Sequence, residues 1–327
     1  DVGTQKKQPR VVMIGSGFIG FIMLNAMYKR GWQLSVVELE KHVLPRMLDT
    51  QAAQMVESWL GKKGITLHCG TTAKEIRQSN GVKTVALADG STLEADLVII
   101  ATGVQPNLDL VAGSGIQADQ GGIPVNNRMQ TNVSHIYAGG DIAKGPVLFS
   151  DQPAVHAIQP TAVDHGRVAG ANMAGKNVEY PGSLSMNILD VCGLQCASFG
   201  NWLNSGAQAM TIANPDGSVY RNLLWTGDQI TGAMFVGQAN DMGMLTDVGM
   251  VKGIMQTQTS LGPWKTFLAE NPFDIRRPYV ATKVAQKLVG TTLIGKSSRA
   301  RQFHFGNSQP TAAVGSSHAA FVDTKKG

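Results

Sequence analysis

The sequence predicts an α/β architecture for its first half and an antiparallel α+β module behind it. Three observations carry this. The apolar run Val11-Val12-Met13-Ile14 leads directly into a glycine-rich turn and then a helix-length segment, the order of a strand–turn–helix unit. Two more apolar runs, Leu34–Glu38 and Leu97–Ala101, have the length and composition of buried parallel strands. From about Tyr180 the pattern becomes a series of strand-length segments divided by turns, with helical segments after them.

The elements follow in order. Residues 1–10 are polar and read as an arm. The first strand, Val11–Ile14, opens into Gly15-Ser16-Gly17-Phe18-Ile19-Gly20, and Phe21–Arg30 reads as a helix stopped by Gly31. Leu34–Glu38 is the second strand, Gln51–Leu60 the second helix and Ile65–Leu67 the third strand. Val82–Leu87 and Ser91–Leu93 flank Asp89-Gly90, a hairpin signal, and Leu97–Ala101 closes the unit at Thr102-Gly103. Residues 105–178 offer less: short strands at Ile123–Val125 and Ile136–Ala138, then a helix, Pro160–Ala174, with proline in its first turn. A parallel sheet must be covered on both faces. This segment is therefore expected to complete a domain whose other strands lie elsewhere. Farther on, Ser183–Ile188, Ala197–Gly200, Gln208–Ala213, Val219–Trp225 and Ile230–Val236 read as strands, with a turn at Asp216-Gly217. Met242–Gln256 and Trp264–Leu268 read as helices lying on one side of that sheet. Residues 291–327, rich in Ser, Gly, Ala and polar groups, read as an extended tail ordered only against a partner.

Composition narrows the function classes. The 327 residues are enough for two or three domains at roughly 100–200 residues each. Net charge is +5, but the Lys and Arg residues are scattered over 283–301 and the C-terminus. That distribution is a solvated face rather than a nucleic-acid surface. There are three cysteines, Cys69, Cys192 and Cys196. An odd, low count argues against a disulfide scaffold and for a reducing, cytoplasmic setting. No apolar run is long enough to span a membrane, and no signal peptide is visible. Asp1 rather than Met stands first, as in a processed or truncated chain.

The first turn carries the chemistry. A lone GxGxxG is a weak signal, but here a strand precedes it, a helix follows, and Glu38 ends the second strand about 20 residues on. Gly15 allows the tight turn, Gly17 lets backbone approach a pyrophosphate, and Gly20 lets helix and strand pack closely. The helix N-terminus presents unpaired N–H groups and a positive dipole to phosphate. Glu38 can accept hydrogen bonds from the adenine ribose hydroxyls, and its charge repels a 2′-phosphate, so NADH is expected over NADPH.

With these residues in place, the chain resembles a known family, the FAD-dependent pyridine nucleotide-disulfide oxidoreductases, chiefly the NADH oxidase and rubredoxin- or ferredoxin-reductase branches. The stretches VVMIGSGFIG, VVELEKHVLPRMLD, ADLVIIATGVQPN, GGIPVNNRMQTNVSHIYAGGDIA and YPGSLSMNIL carry the resemblance, in that order. The resemblance implies a Rossmann-type NAD domain over residues 1–104, with Thr102 and Gly103 lining the cofactor groove. It implies a partial FAD domain over 105–178 and an α+β interface domain, used for dimerisation, over 179–290. Tyr137-Ala138-Gly139-Gly140-Asp141 looks like the second flavin motif. Asp141 would bond the ribityl chain of FAD, with no side chain at Gly140 in the way. The helix opened by Pro160-Thr161 would aim its N-terminus at the flavin N1–C2=O edge and stabilise the charge formed on reduction.

Two departures from the family stand out. The family opens with an FAD half-domain carrying its own GxGxxG, and nothing like it precedes Val11; another chain or segment is expected to supply it. The family also places Glu two residues after the third glycine, where this chain has Ile22. Phe21 and Ile22 read either as core residues or as a block to the nicotinamide pocket. Cys192 and Cys196 read as packing residues, and His156 and His165 as packed or solvated histidines. No set of residues has zinc-ligand spacing. The expected function is NADH-linked, FAD-dependent electron transfer to a partner protein or small acceptor. Two alternatives stay open: a degenerate structural or regulatory subunit of a larger redox complex, and a flavin-free NAD dehydrogenase.

Overall fold

A computed structural model describes residues 7–204 and 206–292. Four strands, β1 (Arg10–Ile14), β2 (Gln33–Glu38), β3 (Thr66–Cys69) and β7 (Leu97–Ile100), form a parallel sheet in the order β3-β2-β1-β7. Three more, β4 (Ala73–Ser79), β5 (Val82–Leu87) and β6 (Thr92–Ala95), make an antiparallel sheet inserted between β3 and β7. The period-2 alternation of β1 explains the layering. Val11 and Met13 face α1 (Phe18–Tyr28) and α2 (Thr50–Lys62), meeting Phe21, Leu24, Ala53, Val56 and Leu60. Val12 and Ile14 face the antiparallel insert, meeting Val85, Leu87 and Ala95. Both faces of the parallel sheet are thus covered, which is why β1 carries no polar residue between Val11 and Ile14. Asp49 starts α2 by accepting the Ala52 N–H at 2.9 Å.

Residues 105–178 hold a three-stranded sheet, β8 (Ile123–Pro124), β9 (Ala143–Val147) and β10 (Ser150–Ala154), and one long helix, α3 (Gln159–Met173). Their buried cluster is small: Met129, Val168 and Ala169, closed by Tyr180 just beyond the segment. Val104 and Leu110, in the connection leading into this segment, are 84% and 86% exposed.

The rest forms a five-stranded antiparallel sheet in the order β11-β12-β15-β14-β13. The strands are β11 (Met186–Val191), β12 (Leu194–Gly200), β13 (Gln208–Asn214), β14 (Val219–Thr226) and β15 (Gln229–Gln238). One face, through Ala197, Phe199, Leu223 and Phe235, lies under α4 (Met242–Gln256) and α5 (Trp264–Glu270). Two short helices follow, α6 (Arg276–Ala281) and α7 (Val284–Thr292). The other face, through Leu189, Val191, Leu194, Tyr220, Met234 and Val236, joins the same core as α1 and α2. Each such large apolar side chain contributes about 1.5–3 kcal/mol when fully buried. Two polar contacts fix the joint: the Tyr220 hydroxyl donates to Asp49 Oδ2 at 2.5 Å, and Trp59 Nε1 donates to the Cys192 carbonyl at 3.1 Å.

Several expected elements differ. Ile136–Ala138 is not a strand; only an isolated Gln130–Tyr137 bridge forms there. β4, β9 and β10 were not anticipated. The strand expected at Ser183–Ile188 begins later, at Met186, and that expected at Ala197–Gly200 begins earlier, at Leu194. Residues 291–292 end α7, and the expected tail beyond them lies outside the described residues.

Candidate functional site

The carboxyl ends of β1, β2 and β7 meet. The Gly15 N–H donates to the Val37 carbonyl at 2.8 Å, and the Ala101 N–H donates to the Ile14 carbonyl at 2.8 Å. Gly15, Glu38 and Thr102 therefore stand at one crevice, the place where open parallel sheets take ligands. Gly15 has φ +98°, and a Cβ there would sit 2.4 Å from the Ala101 carbonyl oxygen. No other residue fits that position. A Cβ at Gly20 would meet the Gly15 carbonyl oxygen at 2.8 Å, so this glycine seats α1 against β1. At Gly17 a Cβ would meet nothing within 4 Å, so the backbone face there is open to a ligand.

Gly17 is the N-cap of α1 and has no side-chain capping bond; no acidic residue lies in the first turn. The free N–H groups at Phe18 and Ile19 are therefore open to an external acceptor such as phosphate. Thr102 and Gly103 are exposed at the end of β7. Glu38 is buried, and its carboxylate is already engaged: Oε2 accepts the Ser16 N–H at 2.8 Å and the Ser16 hydroxyl at 2.6 Å, and Oε1 accepts the Glu40 N–H at 2.9 Å. The bonds from Ser16, 22 positions away, are an addition to the expected ribose-facing role of Glu38. Phe21 is fully buried, whereas Ile22 is 46% exposed beside Ile19 and Met23 on the outer face of α1. The paired reading of Phe21 and Ile22 thus divides: the first is core and the second is surface.

A second group of residues lies in 105–182. Gly140 (φ +78°) and Asp141 form a short 3-10 turn, and Asp141 is exposed. The Gly140 N–H donates to His165 Nδ1 at 3.2 Å, and a Cβ at Gly139 would lie 3.0 Å from the His165 Cβ. His165 is buried, and accepting at Nδ1 places its proton on Nε2. Burial lowers its proton affinity below the ordinary histidine value, and His156 is lowered for the same reason. His156 Nδ1 bonds the Ser183 hydroxyl at 2.6 Å. Both histidines are packed, as one of the two sequence readings had it; that His165 holds the Gly139-Gly140 turn had no signal in sequence. Pro160 occupies the first turn of α3, whose N-cap makes no side-chain bond. Pro160 and Thr161 line a cleft of about 240 Å³ with Asp164, Arg167, Tyr180 and Lys252. Burial raises the Asp164 carboxyl above its usual range.

Burial raises the three free thiols, Cys69 to about 11 and Cys192 to about 12, with Cys196 raised further. They are packing groups rather than nucleophiles, because reaction needs the thiolate. Among the described residues no group of three or more His, Cys, Asp or Glu could hold a metal, and no helix is long and apolar enough to cross a membrane.

Residues 2–166 match the pyridine nucleotide-disulphide oxidoreductase family. The chain belongs to that family. It is 28% identical over 279 residues to the NADH-dependent phenylglyoxylate dehydrogenase subunit epsilon of Aromatoleum evansii, covering 84% of this chain and 64% of that one. It is 32% identical over 191 residues to the NADH oxidase of Methanocaldococcus jannaschii, covering 58% of this chain and 42% of that one. Among solved structures, an FAD-dependent pyridine nucleotide-disulphide oxidoreductase from Desulfovibrio vulgaris superposes with a TM-score of 0.70 at 26% identity, covering 86% of this chain and 72% of that one. The chain spans less than two thirds of the length of the first curated relatives it matches, from 29% to 64%. The α/β reading with an antiparallel C-terminal sheet, the family resemblance and the pairing of FAD with NAD all agree with these matches.

Proposed function

We propose that this chain is the pyridine-nucleotide-binding and interface part of an NADH-linked, FAD-dependent oxidoreductase that passes electrons to a partner protein or small acceptor. The carrying observation is the crevice at Gly15, Gly17 and Glu38, where an open glycine face, free helix N–H groups and a carboxylate meet in the spacing a dinucleotide needs. Ser16, Phe18, Ile19 and Gly20 complete the phosphate turn, and Thr102 and Gly103 form its far wall. Residues 1–104 are the NAD domain in this reading, 105–178 the partial FAD domain, and 179–290 the interface domain through which copies associate. A cytoplasmic setting suits the free thiols.

FAD, when bound, supplies the exchange between a two-electron donor and a one- or two-electron acceptor. The chain's own groups fit its ribityl and ring edges. Asp141 is exposed beside a glycine whose backbone His165 fixes, and it can accept from a polyol hydroxyl. The N-terminus of α3 at Pro160-Thr161 has uncapped N–H groups that favour negative charge. Three short strands, β8–β10, and the one helix α3 are too few to make a doubly wound sheet covered on both faces. The remaining strands come from another segment or another chain, whose arrival would cover Val104, Leu110 and Val163.

A second reading, that of a catalytically silent subunit in a larger redox complex, is favoured by Ile22. It sets an apolar side chain on the exposed face of α1 where the family carries a carboxylate. An anaerobic NADH titration of the purified native protein, followed by visible absorbance, separates the two readings. Stoichiometric bleaching of a flavin band supports electron transfer. A flavin band that NADH leaves unbleached supports the silent subunit.

A further inference from the structure

We infer that Ser16 is a positioning residue that sets the preference for NADH over NADPH by holding Glu38 in place; this rests on the reading of Glu38 as the ribose-recognising carboxylate. A carboxylate offers about four lone-pair positions. Three are taken: Ser16 gives two donors, its N–H and its hydroxyl, to Oε2, and the Glu40 N–H takes one position on Oε1. Among the described residues no further donor reaches Oε1, which leaves one position at the carboxyl end of β2. A ribose 2′-hydroxyl can donate there. A 2′-phosphate brings further negative charge and no fixed donor.

The Ser16 hydroxyl also works in the opposite direction. It accepts the Leu44 N–H at 3.2 Å, and Leu44 sits at φ +53°, a conformation its side chain disfavours. Val43, its neighbour, donates its N–H to Glu57 at 3.1 Å. Ser16 thus ties together the phosphate turn, the end of β2 and the segment beyond it. Both Ser16 and Glu38 are buried, so water does not readily replace these bonds. Lys41 and Arg46 are exposed in that same segment. With the hydroxyl removed, Oε2 keeps only the backbone donor, Leu44 loses its acceptor, and the carboxylate is free to turn away from the ribose position.

The test is calorimetric titration of the full chain with NADH and with NADPH, read as the dissociation constant for NADPH divided by that for NADH. Ser16→Ala lowers that ratio about tenfold, the scale of one hydrogen bond to a charged group. Glu38→Gln brings it close to one, and Ser16→Ala added to Glu38→Gln changes it no further. Ser16→Cys, which keeps a weak donor, gives a smaller loss in the same direction and serves if the alanine variant does not fold. If Ser16→Ala weakens both nucleotides equally while Glu38→Gln still removes selectivity, Ser16 is merely structural and this inference is overturned. If Glu38→Gln leaves the ratio intact, the reading of Glu38 itself falls, and this inference with it.

Discussion

Residues 10–104 and residues 105–178 are both glycine-rich, and both contain short apolar runs. They reach different degrees of closure. In the first, every face of the parallel sheet meets apolar cover, from α1 and α2 on one side and β5 and β6 on the other. The first region also shares its core with the C-terminal sheet. In the second, three residues with Tyr180 just beyond make the buried cluster, and the chain entering it leaves Val104 and Leu110 in solvent. The difference shows how a binding site depends on the layer behind it. The crevice at Gly15 and Glu38 rests on a sheet closed on both sides, whereas the turn at Gly140-Asp141 is steadied by one histidine.

Substitutions that strike each region should separate them by size. Gly15→Val combines a strained backbone with a Cβ 2.4 Å from the Ala101 carbonyl oxygen. It should destabilise the chain by about 4 kcal/mol and abolish NADH binding, as read by urea unfolding and calorimetry. Phe21→Ala, in the large core, should cost about 3–5 kcal/mol by the same unfolding measurement. Met129→Ala, in the small cluster, should fall near 2 kcal/mol, because little surrounding core exists to lose contact with it. An equal cost at Phe21 and Met129 would remove the contrast. Tyr220→Phe leaves Asp49 Oδ2 without its donor and should cost about 1.5 kcal/mol, with NADH affinity little changed.

The smallest effect concerns pH. Burial lowers His165 and His156 below the ordinary value of 6.5, so the unfolded chain binds more protons as pH falls through that window. Stability contributed by the neutral rings is complete above about 6.5 and declines as pH drops toward the folded values. Melting temperature should fall over that range, and His165→Asn, which can still accept from the Gly140 N–H, should flatten the decline.

The first region was legible in sequence because its constraints are local. Gly15, Gly17 and Gly20 fall within six residues, directly between a strand-length and a helix-length segment, and the unbroken apolar run Val11–Ile14 reports burial on both faces. β4 was not legible: Ala-Lys-Glu-Ile-Arg-Gln-Ser lies at the edge of its sheet and is largely exposed, so it lacks alternation. β9 and β10 contain Pro146 and Pro153, which read as strand breakers, yet β10 is an edge strand where proline is tolerated. The apolar residues of β11 and β14 indicate burial but not what buries them, so the core shared with α1 and α2 emerged only in three dimensions. The bonds from Ser16 to Glu38 and from Gly140 to His165 span 22 and 25 residues and leave no periodic trace.

The most direct measurement is amide hydrogen exchange of the full chain, comparing β1 and β7 with β9 and β10. The account predicts slow, globally limited exchange in β1 and β7 and exchange at least a hundredfold faster in β9 and β10, which slows when the completing FAD half is added. Equal protection of the two regions in the chain alone would contradict it.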